Sequence, residues 1–73
     1  MNQELDLHNI KHSDVRKEID SFLGHHIVKK TSEVKVVTGN SEVMKKIVKE
    51  TLSEYNLSAE QSILNPGSLI VRL

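Results

Sequence analysis

Apolar and polar positions along the chain change period several times, and each change marks an element. Glu4 to His8 reads Glu-Leu-Asp-Leu-His. That alternation predicts a short strand with Leu5 and Leu7 on one face and Asp6 and His8 on the other. From Ser13 the spacing turns helical, and Val15, Ile19, Phe22, Leu23 and His26 share one stripe. Ser13 is the expected N-cap, Asp14 suits the positive end of the helix dipole, and Lys29, Lys30 and Thr31 close the segment. Glu33 to Thr38 is β-branched and predicts a second strand. Thr38-Gly39-Asn40-Ser41 is a turn ending in two residues that can cap a helix. The second helix carries Val43, Met44, Ile47, Val48, Thr51, Leu52 and Tyr55 on a broad apolar face and ends at Asn56. Leu57 to Leu64 predicts a third strand with an indistinct start, because Ala59-Glu60-Gln61 equally extends a helix. Asn65-Pro66-Gly67 is a turn signal, and Ser68 to Leu73 alternates as a last strand.

The order β-α-β-α-β-β predicts an α/β fold: a two-layer sandwich whose mixed sheet of four strands carries both helices on one face. The first crossover should be a right-handed parallel unit. The short Asn-Pro-Gly link should make the last two strands an antiparallel hairpin. With no linker, repeat or low-complexity stretch, residues 1–73 read as a single domain.

Composition then removes several classes of function. Leu, Ile, Val and Phe number 23, enough for one small core and above the level at which disorder is expected. Cysteine is absent, which removes disulfides, zinc ribbons and thiol catalysis. Apolar residues never run together for more than a few positions, so neither a membrane span nor a signal-peptide core is expected. The expected location is therefore intracellular and cytoplasmic. Ten basic and ten acidic residues cancel, six of each in residues 1–36 and four of each in 37–73. Any attraction to nucleic acid must come from a local patch. One Tyr, one Phe and no Trp leave little for an aromatic platform on which bases stack.

Candidate chemistry concentrates at two places. Asp6 and His8, at i and i+2 of a strand, point the same way near its C-terminal end, where open α/β sheets place their sites. A carboxylate that orients an imidazole suits proton transfer near neutral pH; taken alone, the pair also reads as a solvated strand edge. Thr38, Gly39, Asn40 and Ser41 form a glycine turn into a helix start, whose free amides can seat a phosphate or carboxylate; a plain capped helix start is the simpler reading of the same residues. Lys45, Lys46 and Lys49 should project from the polar side of the second helix near that seat, or form a solvated face in which Glu42 pairs with Lys46. His26 lies on the apolar stripe and reads as a satisfied boundary residue, while His25 should be exposed. The four histidines show no zinc-ligand spacing, so no metal site is expected from them; metal dependence stays open and the cofactor unknown.

Leu5-Asp6-Leu7-His8, Val36-Val37-Thr38-Gly39 and Asn65-Pro66-Gly67-Ser68-Leu69-Ile70-Val71-Arg72-Leu73, in that order, resemble the hallmark segments of the small MutS-related (Smr) domain family, in its Thr-Gly form. The resemblance runs from Leu5 to Leu73. It implies a fold like the C-terminal domain of the third bacterial translation initiation factor. It also implies binding of DNA or RNA, structured or branched, with nicking endonuclease activity in several members. By position, Asp6 and His8 become the catalytic candidates, and Thr38, Gly39, Asn40 and Ser41 the loop that approaches a backbone phosphate. Gly67 of the closing turn joins that phosphate-binding set with Lys45, Lys46 and Lys49. The chain departs from the family where its commoner His-Gly-Lys-Gly loop is Thr38-Gly39-Asn40-Ser41 and where Asn9 replaces a glycine. Two alternatives therefore stand beside an endonuclease: a nucleic-acid-binding module without catalysis, and a protein-interaction domain that has kept the fold. A monomer is the default expectation.

Overall fold

Val34 and Val36 on one strand, and Leu69 and Val71 on another, carry the alternation that builds the core. In the computed structural model, which describes residues 3–73, residues 1 and 2 of the expected domain lie outside the described residues. The chain runs β1 (Glu4–Asp6), α1 (His12–Val28), β2 (Glu33–Val37), α2 (Glu42–Ser53), β3 (Ala59–Gln61) and β4 (Ser68–Arg72). The sheet order is β1-β2-β4-β3. β1 is parallel to β2, and β4 is antiparallel to both of its neighbours. The five-residue strands are central and the three-residue strands lie at the edges, which leaves little unpaired backbone.

Val34, Val36, Leu69 and Val71 are buried against Val15, Ile19 and Leu23 of α1 and Met44, Val48 and Leu52 of α2, in one cluster. Both helices therefore cover the same face of the sheet, and the expected two-layer mixed architecture is the observed one. The opposite face is wet. There Lys35 lies 3.6 Å from Glu4, and Arg72 lies 3.8 Å from Glu33 and 3.6 Å from Glu60. Where α1 and α2 meet, Arg16 pairs with Glu54, and the Tyr55 hydroxyl donates to Asp20 at 2.5 Å. His26 is buried, with Nδ1 3.0 Å from the Thr31 hydroxyl and its ring 4.5 Å from that of Phe22. Among the described residues no helix is long and apolar enough to cross a membrane.

Several boundaries differ from expectation, each for a local reason. β1 stops at Asp6, because the Ile10 amide donates to the Leu7 carbonyl at 3.0 Å and turns the chain there. The same turn, anchored by half-buried Ile10, starts α1 at His12. Ser13 is consequently inside the helix, and Lys11 takes the cap position with no side-chain bond. Ser41 does cap α2, accepting the Met44 amide at 3.1 Å. Val43 is exposed rather than on the buried stripe, and Tyr55 lies past the helix end. Asn56 ends that turn with φ of 59°, as Lys30 ends the one after α1. β3 is only Ala59–Gln61, because Leu57 turns back against the core and residues 62–67 form a loop. The antiparallel pairing of β3 and β4 holds, but across that longer connection.

The burial pattern sets the outcome of two substitutions in urea-induced unfolding. Leu23→Ala should cost about 2–5 kcal/mol by leaving a cavity between α1 and the sheet. Val43→Ala, at an exposed helical position, should change stability by less than about 0.5 kcal/mol.

Candidate functional site

β2 and β3 are both antiparallel to β4, and β1 is parallel to β2. The C-terminal ends of β1, β2 and β3 and the start of β4 consequently share one end of the sheet. The segments 7–11, 38–41 and 62–67 gather there, along with the start of α2. His8, Thr38, Gly39, Asn40, Ser41 and Gly67 belong to these segments, and Asp6 is the last residue of β1 beside them.

His8 sits in the turn after β1. Its Nδ1 pairs with Asp6 Oδ1, and its backbone amide donates to the same oxygen at 3.1 Å. A neutral imidazole that gives its Nδ1 proton to a carboxylate keeps its lone pair on Nε2. That nitrogen lies 3.0 Å from Asn9 Nδ2, so the Asn9 amide donates to it. The His8 and Asp6 side chains are 50% and 52% exposed, so the pair opens to solvent. Once Asn9 rotates aside, Nε2 can take a proton from an incoming hydroxyl or water. The ring bond from His8, and then its amide bond, hold the Asp6 carboxyl below its ordinary value.

The glycine turn is tied down by the start of β4. Val37 pairs with Ser68, which sets Thr38 opposite Gly67. The Gly67 carbonyl accepts the Thr38 amide at 2.8 Å and the Gly39 amide at 2.9 Å. The buried Thr38 hydroxyl donates to the Gly39 carbonyl at 3.0 Å and to Gly67 at 3.3 Å. The Gly67 amide donates to Asn65 Oδ1 at 3.0 Å. Gly39 has φ of 66°, and a methyl group placed on it would lie 3.7 Å from His8 Cβ. One placed on Gly67 would lie 3.3 Å from Gly39 Cα. His8, Gly39 and Gly67 therefore neighbour one another in series.

Two expectations are corrected here. The amides of Thr38 and Gly39 are committed to Gly67 and cannot seat an anion. The donors open to a ligand are the first-turn amides of α2, Glu42 and Val43, which a helix start leaves unpaired. Lys45 is the second correction: it is only 8% exposed and does not project with Lys46 and Lys49, which are exposed. Its stem follows Val48 and Leu52 at helical spacing, and its Nζ lies 3.7 Å from Glu42 Oε1. Glu42 pairs with Lys45 in place of Lys46. Asn40 is exposed, and the Ser41 hydroxyl is used by the cap. Among the described residues, no three His, Asp or Glu side chains are grouped to hold a metal ion. His25 is exposed, in contact with the His26 ring at 5.1 Å. The candidate set drawn from the sequence omitted Asn9 and Asn65, the two amides that engage His8 and Gly67.

Comparison with known families matches residues 5–71 to the Smr domain. Among solved structures, the chain is similar to YdaL, a stand-alone small MutS-related protein from Escherichia coli, with 17% identity and a TM-score of 0.89. That match covers 97% of this chain and 63% of YdaL, so the chain spans under two thirds of that protein. It is also similar to the Smr domain of Thermus thermophilus MutS2, with 18% identity and a TM-score of 0.85, over 96% of this chain and 95% of that one. No curated protein sequence matches the chain.

Two measurements check this geometry. The Asp6 carboxyl, followed by carbon NMR, should titrate below its ordinary value, and the His8→Ala substitution should return it upward. Because the folded-state value is the lower one, the stability Asp6 contributes is complete above the unfolded carboxyl's value and is lost as pH falls through the folded one. Gly39→Ala should cost about 1–2 kcal/mol in urea-induced unfolding through its left-handed backbone, and Gly39→Asn less.

Proposed function

Because the chain belongs to the Smr domain family, we propose that it binds nucleic acid and nicks it at a phosphodiester held beside His8. The observation that carries this reading is the proximity of the Asp6–His8 pair to Gly39, at the open start of α2. Asp6 fixes the imidazole so that Nε2 faces outward as the base. His8 takes a proton from water or a ribose 2′-hydroxyl, whose oxygen attacks phosphorus, and the imidazolium then supplies a proton to the departing oxygen. The Glu42 and Val43 amides bond the phosphate oxygens, and Lys46 and Lys49 draw the backbone toward them. Structured or branched DNA or RNA is the substrate class, the protein acts as a monomer, and the site of action is inside the cell.

Two observations favour a second reading, binding without cleavage. Thr38 and Gly39 have no amide to spare, and Asn9 holds the His8 lone pair. A module of this kind would keep salt-dependent affinity without turnover.

A nicking assay on supercoiled plasmid and structured RNA separates the two. Under the catalytic reading, His8→Ala should slow nicking by about 10²–10⁴-fold while leaving affinity nearly unchanged. Equal background in wild type and variant, with binding intact, would establish the binding module instead. Replacing Lys46 and Lys49 together by alanine should lower the slope of log affinity against log salt by up to about 2, close to one unit for each phosphate no longer neutralised.

A further inference from the structure

Ile63 and Leu64 are 99% and 96% exposed, adjacent, and part of the loop between β3 and β4. Isolated apolar residues on a surface are ordinary, but this pair is held out by an ordered base. The Ser62 amide donates to the Ser68 carbonyl at 3.1 Å, closing the loop from one side. The Asn65 carbonyl accepts the Ser68 amide at 3.1 Å and the Ser68 hydroxyl at 3.2 Å, and its side chain accepts the Gly67 amide. From there the Gly67 carbonyl runs into the glycine turn against His8. Gly67 is four steps along the chain from Ile63, which limits their Cα separation to about 14 Å. That is about four base steps along a strand.

The chain's two aromatic residues other than histidine lie away from this loop, Tyr55 being past the far end of α2. Phe22 is half-buried beside His26, and the Tyr55 hydroxyl is bound to Asp20 at the helix pair. The groove that Ile63 and Leu64 border on the wet face of the sheet contains Glu33 and Glu60, with Arg72 paired to both. A polyanion gains nothing there and is left at the loop end, where the candidate site lies.

We infer that Ile63 and Leu64 form an apolar wedge that enters between bases within a few steps of the phosphate at the site. The inference rests on the nucleic-acid reading above and adds an insertion that reading does not need. Aliphatic side chains inserted at a base step unstack it at a cost of about a few kcal/mol. A wedge of this size therefore favours bulges, loops and junctions, where stacking is already interrupted.

The test uses DNA and RNA hairpins carrying 2-aminopurine at a bulge, with a fully paired duplex as control, against wild type and an Ile63→Ser/Leu64→Ser variant. Both positions are exposed, so the variant should unfold at the wild-type urea midpoint. Wild type should raise bulge fluorescence about two-fold or more as the base unstacks. The variant should leave fluorescence near its free value and bind the bulge about tenfold more weakly, with duplex affinity changed by less than about twofold. A variant that unstacks the base as well as wild type overturns the wedge and leaves the nucleic-acid reading standing. Wild type that binds none of the oligonucleotides overturns both. Sedimentation showing a dimer that the variant abolishes would assign the pair to self-association and overturn the wedge as well.

Discussion

One carbonyl oxygen, that of Gly67, holds the functional end of the molecule together. It accepts the amides of both Thr38 and Gly39, so the start of β4 fixes the path of the chain as it leaves β2. Gly39 is thereby held in a left-handed conformation against His8 on one side and Gly67 on the other. A side chain at Gly67 would crowd Gly39 Cα, so glycine is favoured there by close approach, whereas at Gly39 it is favoured by the positive φ. The register of two central strands is converted in this way into the spacing between an imidazole and a helix start.

The chemistry of that end depends on orientation more than on burial. Asp6 and His8 are half-exposed, and a polar pair so placed adds little to stability. What it does is direct: the carboxylate engages Nδ1, and the lone pair is left on Nε2. Asn9 then occupies that lone pair, so the free protein carries its base already satisfied. An incoming group has to replace one hydrogen bond with another, an exchange that is nearly balanced in energy.

The order of the elements was legible because the period changes are abrupt: Leu5 and Leu7 alternate, Val15, Ile19 and Leu23 repeat at helical spacing, and Val34 and Val36 alternate again. The edges of elements were less legible, since Ile10 and Leu57 leave the pattern to plug the core from turns, ending β1 early and delaying β3. Asp6 and His8 could be found because both the partnership and the position at a strand end are local in sequence. The role of Gly67 could not, because it follows from a pairing between segments 29 residues apart. Lys45 was misplaced by its charge. Its spacing to Val48 and Leu52 already marked the buried side, and a long aliphatic stem lets a lysine occupy such a position.

The wet side of the sheet has a consequence for how the molecule meets others. Glu4 pairs there with Lys35, and Arg72 is shared by Glu33 and Glu60, so these five side chains leave one net negative charge and that surface gives a polyanion nothing to hold. The opposite side is roofed by helices, and the flanks are strands three residues long. With three approaches made unrewarding, encounters are funnelled to the rim where the loops converge, and the scaffold acts as a handle that presents a single working tip.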